Sequence, residues 1–162
     1  MKITSTVTWA GRTTRTGAYS RAHRWHFDGG ARIAASSAPA IVPEPYSDPA
    51  CVDPEEAVLA ALSSCHMLFF LHLVSDEGWT VTHYSDIAEA ALVPDAHGRM
   101  HIGAIRLQPE VAFESAPPEE VQRRMHEVAH GRCFIAASLT APVAIEPRIP
   151  EDALGGRSEG HL

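Results

Sequence analysis

An α+β domain is the fold class that this chain predicts, on three observations. Alternating apolar and polar residues near the start and through the middle of the chain have the two-residue period of half-buried strands. The stretch from Ala57 to Val74 is too long for a strand and carries apolar residues nearly all round a helix. The resulting order is two or three strands, a loop, a helix, two long strands, a second helix and a closing strand, which packs helices on one face of a largely antiparallel sheet.

Composition sets the limits of function. With 162 residues, 45% of them hydrophobic, the chain has material for one core, so a single domain over residues 1–150 is expected. The formal net charge is −7 and no run of Lys or Arg offsets it, which excludes nucleic acid as an expected partner. Three cysteines are too few, and odd in number, for a disulfide scaffold, and they suit a reducing compartment. Met1–Trp9 lacks the apolar centre of an export signal, so the cytoplasm is the expected location. Ala57–Val74 approaches the length of a membrane span, but Ser63, Ser64, His66 and His72 interrupt it and acids, not basic residues, flank it. It reads as a buried core helix, and no membrane partner is expected.

Taken in order, Lys2–Trp9 and Tyr19–Phe27 read as strands joined through a turn that holds Gly11 and Gly17. Asp28-Gly29-Gly30 marks a hairpin that returns through Ala31–Ser36. Pro39, Pro43, Pro45, Pro49 and Pro54 then forbid regular helix or central strand, leaving residues 36–53 as a long loop, a length more often functional than filler. Asp53-Pro54-Glu55-Glu56 opens the main helix: Asp53 accepts from free N–H groups, Pro54 has none to lose, and the acids face the positive end of the dipole. This helix runs to about Asp76 and stops at Gly78. Trp79–Val93 and Met100–Phe113 are long strands turning at Pro94–Gly98, and a second helix starts near Pro117 or Pro118 and ends at Gly131. Phe134–Leu139 forms a short helix, Pro142–Ile149 a closing strand, and residues 151–162 a disordered tail.

A helix that is apolar nearly all round needs cover on more than one side, and one sheet supplies only one. A second copy of the chain is the natural source, so a homodimer is expected.

Cys65 sits in Ser63-Ser64-Cys65-His66-Met67 and Cys133 in His130-Gly131-Arg132-Cys133-Phe134-Ile135. A thiol in a hydrophobic helix is ordinarily an inert core residue; here the surrounding motifs argue otherwise. Asp53-Pro54-Glu55-Glu56 followed by Ala60-Ala61-Leu62-Ser63-Ser64-Cys65-His66-Met67, and later Ala129-His130-Gly131-Arg132-Cys133-Phe134-Ile135-Ala136-Ala137-Ser138-Leu139, resemble the OsmC/Ohr family of thiol peroxidases. The resemblance runs from about Trp9 to Pro147. Its most specific part is a Pro-Glu-Glu helix start ten residues before one cysteine, paired with a second cysteine near an Ala-Ser-Leu segment.

The resemblance implies an OsmC-like α+β fold in an intertwined homodimer. It implies a peroxidase that reduces organic hydroperoxides, and hydrogen peroxide less efficiently, to alcohols and water. It implies that Cys65 attacks the peroxide, that Cys133 resolves the product as a Cys65–Cys133 disulfide, and that Glu55 pairs with an active-site arginine. Arg21 is the preferred match for that arginine and Arg24 the reserve. The implied reductant is a small dithiol or a dihydrolipoyl group on a carrier protein; no cofactor or metal is implied.

Physical chemistry supports such a set. Attack on an O–O bond needs a thiolate, and Cys65 is two to three turns from the favourable end of the helix dipole, so an arginine close by is the available stabiliser. A guanidinium in an apolar pocket needs a counter-ion, and Glu55 is the obvious one. Ten residues separate Glu55 from Cys65, roughly 15 Å along an ideal helix. No single arginine head spans that easily, which favours a site completed by the helix of a second subunit. A sulfenic acid on Cys65 would over-oxidise without a second thiol, the part Cys133 fills.

Other residues have plainer readings. Cys51, in the Pro-rich loop, is either an alternative resolving thiol or incidental. His126, His130 and Cys133 recur at i, i+4 and i+7, but Gly131 weakens a continuous helix and no fourth zinc ligand is evident, so no metal is expected. His66 points about 100° away from Cys65 on a helix and is a poor base for it; His23 and His26 fall on opposite strand faces, with structural or solvent roles. Trp25, Pro43, Pro45, Tyr46, Met67, Leu68 and Phe69 are candidates for an apolar substrate entrance. Two other functions remain open: a non-catalytic small-molecule binding or redox-sensing module, and a cysteine hydrolase or transferase.

Overall fold

The computed structural model describes residues 1–148; the expected tail at 151–162 and the end of the closing strand lie outside the described residues. The chain divides into two units, Met1–Val58 and the part from Leu59 onward.

The first unit holds β1 (Ser5–Thr8), β2 (His23–Phe27) and β3 (Arg32–Ala35) in one antiparallel sheet of that order. Ser5 pairs with Phe27 and His23 with Ala35, the latter through the hairpin at Asp28-Gly29-Gly30. β2 starts four residues later than its apolar pattern predicts. The cause is local: Arg21 N–H donates to Tyr46 O at 2.8 Å and Ala22 N–H to Ser20 Oγ at 3.1 Å, so these donors leave the ladder. The Pro-rich loop is tied to the same unit, with Asp48 N–H donating to Ser36 Oγ and Val52 N–H to Ala34 O.

The main helix α1 (Pro54–Asp76) begins where Asp53 and Pro54 place it. Glu56 N–H donates to Asp53 Oδ1 at 2.8 Å and Asp53 N–H to Glu56 Oε2 at 3.2 Å, a reciprocal capping box. Gly78 at φ +80° ends it, a conformation that residues with a Cβ avoid. Although α1 has the length and apolarity of a membrane span, its buried stripe is Leu62, His66, Phe70 and Val74, at four-residue steps along one face. Leu68 on another face is 61% exposed.

The second unit continues with β4 (Val81–Pro94), β5 (Met100–Phe113), α2 (Glu119–Arg132), α3 (Phe134–Ser138) and β6 (Val143–Ile145). Its sheet has the order β4-β5-β6, with β6 parallel to β5. The described residues therefore form two three-stranded sheets where the strand pattern suggested one. Two apolar clusters fill this unit. Phe70 and Val74 of α1 meet Val111 of β5 and Met125 and Ala129 of α2. Leu62 meets Ile105, Leu107 and Cys133, with Cys65 packed against that group.

Candidate functional site: a thiol pair and an arginine pocket

In the second unit, Cys65 packs against the apolar group that holds Cys133, close enough to raise that thiol's pKa, and both cysteines are free. The helix α1 carries one; the other sits at the break between α2 and α3, where Cys133 adopts an extended backbone and its Sγ accepts from Ala136 N–H at 3.4 Å. Burial raises the pKa of the Cys133 thiol, the Ala136 N–H opposes that, and the neighbouring Cys65 thiol raises it further. Cys133 is fully enclosed, whereas Cys65 is half-buried. On the same helix Ser63 Oγ donates to Asp86 Oδ2 at 2.5 Å, locking α1 to β4 two residues from the Cys65 position.

On the residue that follows Cys65, the His66 imidazole lies coplanar with that of His126, Nε2 and Nδ1 3.0 Å apart and sharing one N–H. Phe70 stacks on His126 with ring centroids 4.1 Å apart. Burial depresses both imidazoles, His66 to about 4 with His130 as the lesser cause and His126 to about 3 with His66 as the lesser cause, so the pair is neutral at pH 7. Sequence spacing grouped His126 with His130 and Cys133; the fold pairs it with His66, across the two helices that bring the thiols together. The partner is 60 residues distant in the chain, so local periodicity carried no signal of it.

In the first unit, Arg21 and Glu55 line one cavity of about 530 Å³, with Trp9, Tyr19 and His23. Alternation along the segment that leads into β2 turns Tyr19, Arg21 and His23 to the same side. Arg24 faces a second cavity of about 490 Å³, with Asp48 and Cys51. There the Cys51 thiol is raised by burial and by the Asp48 carboxylate, with Arg24 opposing. Arg21 Nη1 donates to Gly17 O at 2.6 Å and to Tyr19 O, and its Cζ sits 3.7 Å from the Tyr19 ring centroid. Among the described residues no ion pair joins Arg21 to Glu55. The apolar entrance expected at Trp25, Pro43, Pro45 and Tyr46 is not what lines this cavity; Val7, Trp9, Tyr19, Ile41 and Pro54 supply its apolar wall. Trp25 points instead into a hydrogen bond with His23 Nε2, at 2.9 Å.

The sequence pattern of the OsmC-like protein family matches residues 47–148. An OsmC-like protein of unknown function from Vibrio cholerae is 41% identical, with a TM-score of 0.84 over 91% of this chain and 99% of that one. The chain belongs to the OsmC-like family. More distant structures share its fold. An organic hydroperoxide resistance protein from Elizabethkingia anophelis is 13% identical with a TM-score of 0.68, over 92% of this chain and 95% of that one. One from Bacillus subtilis is 18% identical with a TM-score of 0.59, over 91% and 98%. No curated protein matches by sequence.

For this OsmC-like protein, the four residues nominated from sequence fall in two pairs. Cys65 and Cys133 meet in one unit, and Arg21 and Glu55 share a cavity in the other. Trp9 and Tyr19 were missed as cavity residues, although the two-residue spacing of Tyr19 and Arg21 was a usable signal.

Proposed function

We propose that this OsmC-like protein is a thiol-dependent peroxidase that reduces organic hydroperoxides, and hydrogen peroxide less efficiently. The observation that carries the reading is the meeting of two free thiols, Cys65 half-buried and Cys133 enclosed, that lie far apart in sequence. The names of the Elizabethkingia and Bacillus relatives add support.

In this mechanism the Cys65 thiolate attacks the outer oxygen of ROOH. The O–O bond breaks, RO⁻ takes up a proton to leave as ROH, and Cys65 becomes a sulfenic acid. Cys133, as thiolate, then attacks Cys65 Sγ; an S–S bond forms, the S–O bond breaks, and the departing hydroxide takes up a proton to leave as water. A dithiol, free or as a dihydrolipoyl group on a carrier protein, restores both thiols by exchange. The two electrons that reduce the peroxide come first from Cys65 and finally from that dithiol. Arg21, which shares its cavity with Glu55, is the cation proposed to support the thiolate and the departing oxygen.

The working form is a homodimer in the cytoplasm. The exposed Leu68 on α1 and Phe134, 72% exposed beside the thiol break, support an apolar contact with a second copy. Sedimentation tests the assembly: a strictly monomeric protein with full activity overturns it.

The decisive experiment counts free thiols before and after one equivalent of cumene hydroperoxide. Loss of two per chain, abolished in Cys65→Ser, supports the peroxidase; unchanged thiols overturn it. An apolar cavity of this size also fits a non-catalytic binding module, which unchanged thiols together with saturable ligand binding would select.

A further inference from the structure

We propose that Tyr19 is the positioning residue for Arg21, with Trp9 backing it. The Arg21 guanidinium lies over the Tyr19 ring, Cζ 3.7 Å from its centroid, at the distance of a cation–π contact. The same guanidinium is held in its plane by Nη1, which donates to the carbonyls of Gly17 and Tyr19. Among the described residues Nε and Nη2 donate to no protein acceptor, so two edges of the fork remain for oxygen atoms in the cavity. Tyr19 thus fixes the cation through a ring face, a contact that uses none of the N–H groups the chemistry needs.

The ring is itself held. Trp9 packs edge-to-face on Tyr19 with centroids 5.9 Å apart, and its indole N–H donates to Ser20 O at 2.8 Å. Two glycines make the arrangement possible. A Cβ on Gly11 would stand 2.7 Å from Trp9 Cζ2, so any side chain there displaces the indole. Gly17, at φ +76°, turns the chain so that its carbonyl meets the guanidinium. The device is a run of alternate residues, Gly17, Tyr19 and Arg21, closed by a tryptophan that directly follows β1.

The catalytic consequence rests on the peroxidase reading, whereas the position of Arg21 does not. Two measurements on the full chain separate them: the rate at which phenylglyoxal modifies Arg21, read by peptide mass spectrometry, and kcat and KM for cumene hydroperoxide with dithiothreitol as reductant. Tyr19→Phe keeps the ring face and should stay within about twofold of wild type in both. Tyr19→Leu should speed modification of Arg21 severalfold and lower kcat about tenfold, with a smaller change in KM. Equal behaviour of the Phe and Leu variants, or an unchanged modification rate in Tyr19→Leu, overturns the proposal. If the wild type consumes no peroxide, the peroxidase reading fails while the modification rates still decide the role of Tyr19. Should Tyr19→Leu not fold, the wild type suffices: Arg21 side-chain proton resonances must lie upfield of random-coil values through the Tyr19 ring current, and random-coil shifts overturn the proposal.

Discussion

The thiol pair and the arginine pocket are built in opposite ways. Cys65, on the long helix α1, and Cys133, at the break between α2 and α3, sit among Leu62, Ile105 and Leu107, held by apolar packing, with α1 tied to β4 by the Ser63–Asp86 hydrogen bond. The groups that oppose the rise in the Cys133 thiol pKa are backbone N–H groups of Ala136 and Ile135. Arg21 sits on a loop, in a wide cavity, held by carbonyls of its own segment and by an aromatic ring. One region thus offers two neighbouring thiols, the other a guanidinium in an open cavity. Precise sulfur–sulfur approach needs rigid packing, since a disulfide tolerates little error in Cα separation. A group that must meet a substrate needs access, which a loop and an open cavity provide.

The comparison is broken most severely by removing either sulfur. Cys65→Ser should lower peroxide consumption by at least roughly 1,000-fold, because no other group in the mechanism attacks oxygen. Cys133→Ala should keep the first turnover and lose the later ones, with the Cys65 product over-oxidising; mass spectrometry then shows a sulfinic acid on Cys65. Equal loss of the first turnover in both variants would contradict the division of labour.

In the arginine pocket, Arg21→Met should lower kcat/KM about 100-fold, the scale of losing one preorganised charge donor. Arg24→Met, which alters the second cavity, should cost far less. Steady-state kinetics on the two variants sharpens the comparison, and a reversed order would move the site to the other face of the sheet.

Acid should act first on the thiol region. His66 and His126 are depressed to about 4 and about 3, below the ordinary imidazole value, so the unfolded chain binds protons that the folded chain refuses. Stability is complete above about pH 6.5 and falls as the pH drops towards 4, by up to about 1.4 kcal/mol per pH unit for each proton taken up. Urea unfolding midpoints between pH 7.5 and 4.5 measure this, and a flat profile would remove the histidine pair from the account.

The smallest effect concerns the start of α1, which carries Glu55. Asp53→Ala removes the acceptor of the Glu56 N–H and should cost about 1 kcal/mol, read from urea unfolding.

Much of this was legible in the chain. Asp53-Pro54-Glu55-Glu56 marked the helix start to the residue, and Met100–Phe113 is a strand with the bounds its alternation predicted. Where the expectation was long, at Tyr19–Ala22, polar side-chain and loop hydrogen bonds replaced the ladder, a competition that period-two patterning does not register. The division into two sheets was not legible either. Each strand's pattern names a buried face and says nothing of which edge it joins.

By itself, then, the sequence determined the element order, the capping and ends of α1, and the residue types able to do thiol chemistry, because those follow from interactions within a turn or two of helix or strand. Only the tertiary structure decided that Cys133 stands beside Cys65, that His126 bonds His66, and that Arg21 shares a cavity with Glu55 while Arg24 does not. Those meetings close loops of tens of residues, and their free energy comes from burying whole faces together, a sum that no local stretch contains.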